Sequence, residues 1–319
     1  NCSLQIKYLF IKIHKGGFLS SIYKNYGGLQ MKRKFKDLGI AILYTLTALG
    51  MQLLTTLAVT LLGGFLIGYN YTINNPEESL SEELIVEFVN NFVTEVTPYI
   101  LIIASLSAFV IYLLVIKLYN KSFIKYTNFT KPKMSLLALS AIIGIALNLA
   151  VGLIISLTGA ETYFPEHEEV INSIVGELAI QNIIVTAITA PLFEEILFRG
   201  LIFRQVKKSF PVAAAVIIQS ILFALLHGNT LQMLYTFILG VSAALVCLWG
   251  DSLWNAIVLH IFYNGTSLIL TIINMDFTLL TALITMTISS VIYIAGMIIC
   301  YKKRCDIQTA FVNNYIASI

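Results

Sequence analysis

The sequence predicts an all-α fold: a polytopic membrane protein, a bundle of about eight transmembrane helices. Three observations carry this. Of 319 residues, 58% are hydrophobic and only 12% charged, with a mean hydropathy of +0.84; a soluble domain carries about 25% charged residues. Apolar runs long enough to cross a bilayer, which takes about 20 residues, recur along nearly the whole chain. Between them, the charge of the connections alternates in sign.

In chain order, the candidate spans are 38–70, 97–117, 134–158, 178–205, 211–228, 231–249, 253–272 and 277–301. The connection 70–96 holds Glu77, Glu78, Glu82, Glu83, Glu87 and Glu95 with no Lys or Arg. The connection 159–177 repeats this with Glu161, Glu166, Glu168, Glu169 and Glu177. The intervening connections hold Lys117, Lys121, Lys125, Lys131 and Lys133, then Lys207 and Lys208, and Lys302, Lys303 and Arg304 follow the last span. Basic residues accumulate on the cytoplasmic side, so eight spans with both termini cytoplasmic fit every biased connection. Within 81–93, SEELIVEFVNNFV reads either as a short amphipathic surface helix or as a solvated acidic loop.

The chain divides into a leader at 1–30, spans one to three with their acidic outer loops at 31–177, a polar-bearing membrane core at 178–272, and the last span with its tail at 273–319. The leader, expected to be non-native or disordered, shows no small-residue cleavage site after an apolar core and does not read as a signal peptide. Gly27-Gly28 just before Met31 is encodable as a purine-rich ribosome-binding sequence, so the expected native start is Met31, capped by Lys32-Arg33-Lys34. Cys2, Cys247, Cys300 and Cys305 show no paired or metal-binding spacing. The lipid bilayer is the expected surrounding, and no nucleic-acid partner is expected. A composition rich in Ile, Lys and Asn, with short loops, points to a Gram-positive bacterial cell membrane.

The fourth span, TAITAPLFEEILFRGLIFRQVKK, sets Glu194, Glu195 and Arg199 in an apolar helix. An ionisable group there costs roughly 2.5–3.5 kcal/mol on insertion scales and marks a functional site by default. Glu195 and Arg199, four apart, share a face and neutralise each other. Glu194 is turned about 100° away and must look towards another helix, leaving one free carboxylate. Pro191 loosens the backbone ladder just upstream.

The fifth span ends in FALLHGN, with Phe223 and His227 four apart; the seventh carries His260 and Asn264, also four apart. Of the other two histidines, His14 is in the leader and His167 in an outer loop. With a turn near Ser209–Pro211, Glu194 and His227 stand equally far from it, about 24 Å at 1.5 Å per residue. The two side chains can therefore meet between antiparallel spans. Gly63-Gly64 and Gly240 are expected at close helix contacts.

Glu194-Glu195-x-x-x-Arg199, Phe223-x-x-x-His227 and His260-x-x-x-Asn264, in that order on separate spans, resemble the CPBP family (CAAX protease and bacteriocin-processing, or Abi), over roughly 178–268. The resemblance implies an intramembrane endopeptidase of glutamate type acting on a peptide or membrane-protein substrate. It implies that Glu194 with His227 activates a water and that His260 and Asn264 stabilise the oxyanion, with Glu195, Arg199 and Phe223 as structural support. The physics agrees: Asn and His on one helical face can aim two donors at one developing charge. No cofactor is favoured. If zinc were used, its ligands would be Glu194, His227 and His260, but Asn is a poor zinc ligand and no His-Glu-x-x-His run is present. In a Gram-positive bacterium the resemblance implies bacteriocin processing or self-immunity rather than prenylated substrates. The alternative is a non-proteolytic membrane adaptor or bacteriocin self-immunity protein of the same fold, which has no need to keep all four polar residues. A proton relay or transporter predicts repeated halves, and none is visible.

Overall fold

The computed structural model describes residues 17–75, 81–164 and 180–317, with side chains between 29 and 304 inside those stretches. His14, Glu77, Glu78, Glu166, His167, Glu168, Glu169 and Glu177 fall outside them. The described chain is helical and holds no strand. The helices are α1 (Gly17–Asn74), α2 (Glu82–Leu118), the short α3 (Phe123–Thr127), α4 (Met134–Thr158), α5 (the run 180–206), α6 (Val212–Leu225), α7 (Thr230–Gly250), α8 (Leu253–Ile272) and α9 (Leu279–Ala317).

Charge and apolarity are distributed inside out. Leu53, Leu61 and Phe65 of α1 are 73%, 65% and 68% exposed, while Glu195 and Arg199 are 0% exposed. A water-soluble protein arranges these groups the other way round. Among the described residues, six helices are long and apolar enough to cross a membrane: α1, α2, α4, α7, α8 and α9. Together with the apolar surface they make this an all-α, multi-pass membrane protein.

The other two expected spans, the fourth and fifth, are not among these and depart from regular geometry, and both departures have local causes. The run 180–206 is interrupted by π-helical turns at Val185–Thr189 and Ile196–Phe203. Pro191 has no N–H to give and its ring crowds the carbonyl four residues back. The turn before it widens accordingly, with the Ala190 N–H donating to Val185 O, five residues back. Helix α6 has only 14 residues, about 21 Å at 1.5 Å per residue, against a hydrocarbon core of about 30 Å. His227-Gly228-Asn229 ends it: Gly228 takes φ +68°, and the Asn229 side chain accepts from Gln232 N to cap α7.

Two expectations change in detail. The stretch 81–93 is neither a separate surface helix nor a loop: Ser81 caps α2, which runs through to Leu118 as one helix. Helix α1 begins at Gly17, inside the stretch read as a leader.

Helix α4 packs against both α8 and α9, α1 against α2, and α6 against α7. Gly144 sets the first of these contacts, because a Cβ there runs into the Leu259 carbonyl oxygen of α8. Gly63 gives way to the Phe92 ring and Gly240 lies against Ser220, whereas Gly64 has only ordinary contact. At one end of the bundle, Ser252 Oγ donates to Thr130 O (2.6 Å), Thr130 Oγ1 to Asp251 O (2.8 Å) and Leu253 N to Asn128 O (2.9 Å). These bonds lace the 119–133 connection to the α7–α8 turn. At the same end, Asp37 of α1 accepts from Gln205 Nε2 at 2.8 Å and from Ser209 Oγ, tying α1 to the end of α5.

Candidate active site

Between its two π turns, α5 presents Glu194 and Glu195 to different neighbours. Glu195 points inward. Its Oε1 accepts from Arg199 Nη1 at 2.8 Å and, on its other side, from His260 Nδ1 of α8 at 2.7 Å. Arg199 Nη2 donates to Gly240 O of α7 at 3.1 Å. Only a glycine lets that carbonyl come so close to α6, since a Cβ at Gly240 meets Ser220 Cβ at 3.0 Å. Gln219 Nε2 donates to the same carbonyl at 3.0 Å.

Glu194 takes the other direction. Its side chain is 33% exposed, and its Oε2 lies 3.8 Å from His260 Nε2. That is beyond hydrogen-bond length. The two ring nitrogens of His260 thus address two adjacent carboxylates of α5.

Phe223 joins the remaining parts. Its ring lies 4.9 Å from His227, 5.8 Å from His260 and 5.0 Å from Phe198, centroid to centroid. The Arg199 guanidinium carbon sits 4.6 Å over the same ring, an attractive cation–π geometry. His227, just past the end of α6, donates Nδ1–H to Phe223 O at 2.9 Å. That bond selects the tautomer whose Nε2 carries the lone pair.

Asn264 stands one turn beyond His260 on α8. Its Nδ2 donates to Thr186 O at 2.9 Å, within the first π turn. Widened turns leave backbone carbonyls underused, and π turns recur at functional sites. Asn264 thus braces α5 with one amide hydrogen and keeps a second.

Spacing on single helices leads to the Glu195–Arg199 pair and the outward turn of Glu194. It gives no sign that Glu195 also holds His260, 65 positions away. Gly240 is expected from sequence only as a close helix contact; its service as an acceptor, like that of Thr186, is silent in sequence, because a backbone acceptor carries no side-chain signature.

Among the described residues, no three of His, Cys, Asp or Glu are grouped so as to hold a metal ion. His260 Nδ1 is committed to Glu195, and Glu195 to Arg199.

Compared with known families, residues 176–266 match the family described as Type II CAAX prenyl endopeptidase Rce1-like. The matched segment includes Glu194, His227, His260 and Asn264. Comparison with curated proteins gave no match, nor did comparison with solved structures. Over its polar membrane core, residues 176–266, the chain is thus similar to the CPBP/CAAX protease family of intramembrane proteases.

Proposed function

We propose that this protein is a glutamate-type intramembrane endopeptidase that cleaves a peptide or a membrane-associated protein without a metal. The observation that carries the reading is the pair of carboxylates on α5: one sealed by Arg199, the other exposed and facing His260 Nε2 at 3.8 Å.

Glu194 is the general base. A water between Glu194 and the free Nε2 of His227 gives its proton to the carboxylate as its oxygen bonds to the substrate carbonyl carbon. The carbonyl π electrons move to oxygen, and the oxyanion accepts from His260 Nε2–H and from the second amide hydrogen of Asn264. When the intermediate collapses, the C–N bond breaks and the Glu194 carboxylic acid returns its proton to the leaving amine. His260 is in this reading the doubly protonated ring, a donor at both nitrogens. The formal charges of Glu194, Glu195, Arg199 and His260 then sum to zero, as buried charge requires. General-base catalysis of this kind contributes about 10²–10⁴-fold in rate, and a preorganised oxyanion donor about 10²–10³.

The test is cleavage of a quenched fluorescent peptide library by purified full-length protein, with Glu194→Gln and His227→Ala beside it, each with and without chelator. Cleavage by the parent that resists chelation and is lost in both variants is the expected result. Cleavage that chelator abolishes and zinc restores overturns the metal-free mechanism. Cleavage that survives in Glu194→Gln overturns the role of the base.

A further inference from the structure

A cavity of about 510 Å³ opens at the end of the bundle remote from the carboxylates, where the 119–133 connection meets the end of α5. Five of its lining residues are cationic: Lys121, Lys125, Arg204, Lys207 and Lys208. Its remaining lining, Ser122 and Tyr126, adds hydroxyl donors and no carboxylate. Among the described residues, none of the five cations makes an ion pair with a carboxylate. Asp251 acts on Lys207 only from beyond ion-pair distance, and its Oδ1 accepts from Asn128 Nδ2 at 3.1 Å. Lys121 and Lys208 both lean on Tyr126, with their Nζ atoms 4.9 and 5.3 Å from its ring centre. Like charges gathered in this way repel unless an anion lies between them.

A second cavity, about 310 Å³, adjoins the first and shares Lys121, Tyr126 and Lys208 with it. Lys36 and Gln205 join Asp37 at its polar margin, while Ile40 and Leu43 of α1 and Ile111, Val115 and Ile116 of α2 give it an apolar wall. Its acid, Asp37, is occupied by Gln205 and Ser209. A cationic bowl thus continues into a hydrocarbon slot between two membrane helices. An ion alone fills only the bowl and an alkyl chain only the slot; an anionic amphiphile fills both. Basic pockets between transmembrane helices near the membrane surface suit phospholipid headgroups.

We infer that this composite cavity binds one anionic phospholipid, its phosphate among Lys121, Lys125, Arg204, Lys207 and Lys208 and an acyl chain in the slot between α1 and α2.

The full-length protein is purified in detergent, and bound lipid is counted by native mass spectrometry during titration with phosphatidylglycerol, phosphatidylcholine or inorganic phosphate. One phosphatidylglycerol per chain is expected, with phosphatidylcholine far weaker. Lys207→Gln/Lys208→Gln and, separately, Lys121→Gln/Lys125→Gln each weaken phosphatidylglycerol binding roughly fivefold per charge removed. These four side chains are exposed, so both variants keep the fold, which circular dichroism checks. Thr47→Trp, which fills the slot, weakens the phospholipid and leaves inorganic phosphate unaffected. Equal binding of the two phospholipids overturns the inference, as does unchanged affinity in both charge variants. Inorganic phosphate binding as tightly as phosphatidylglycerol also overturns it, by making this a soluble-anion site. Every readout is binding, so the outcome is independent of the proposed peptidase chemistry.

Discussion

Replacing Glu195 with Gln separates stability from chemistry at the candidate site. The carboxylate has 0% exposure, and its Oε1 takes hydrogen bonds from Arg199 at 2.8 Å and His260 at 2.7 Å. A hydrogen bond to a charged group contributes about 1.5–3 kcal/mol, and removing one partner of a buried ion pair costs about 3–5 kcal/mol. In Glu195→Gln, Arg199 keeps Gly240 O at 3.1 Å and the Phe223 face at 4.6 Å. The loss therefore falls near the lower bound, about 3 kcal/mol. Replacing a whole buried pair by apolar groups of similar volume is often neutral or stabilising. The double variant Glu195→Gln/Arg199→Met is thus expected to recover most of that stability. It should not recover cleavage, because His260 still lacks an anionic acceptor to hold its ring; loss of such an orienting partner costs about 10- to 100-fold. Unfolding in detergent and peptide cleavage are measured on the parent, the single variant and the double variant. A double variant that regains both properties refutes Glu195 as the residue that orients His260. A single variant as stable as the parent refutes the buried ion pair itself.

Three other perturbations probe neighbouring parts. Glu194→Gln, at a partly exposed side chain, should leave the unfolding midpoint unchanged and lower peptide cleavage by about 100-fold or more. Asn264→Ala strands the Thr186 carbonyl; about 1–3 kcal/mol should be lost, and hydrogen exchange around Val185–Thr189 should quicken. Gly144→Ala drives a methyl into the Leu259 carbonyl and should cost about 1–3 kcal/mol by overpacking, read as a lower midpoint, while Gly152→Ala, with nothing near its Cβ, should have almost no effect.

Much of the architecture is legible in single segments, because lipid imposes a one-dimensional rule: a span must be apolar for its length. Met134–Thr158 and Leu253–Ile272 coincide with the expected spans. Likewise the Glu195–Arg199 pair follows from i, i+4 geometry on one helix. Hydropathy does not register hydrogen-bond pattern, so it treats the π turns at Val185–Thr189 and Ile196–Phe203 as ordinary helix. It also counts the residues at the His227 turn as part of a full-length span, where α6 stops at Leu225.

The sequence by itself determined which groups are available: one carboxylate that Arg199 neutralises, one that it does not, and two histidines and an asparagine inside apolar spans. Tertiary structure alone decided how they are shared. Glu195 serves both Arg199 and His260 through one oxygen, Phe223 lies against both imidazole rings, and Asn264 braces a carbonyl on α5. The reason is physical: spacing along a helix sets only which face a side chain occupies. Which face of another helix it meets depends on packing at points such as Gly144 and Gly240, where two backbones come close enough for long-range partners to touch.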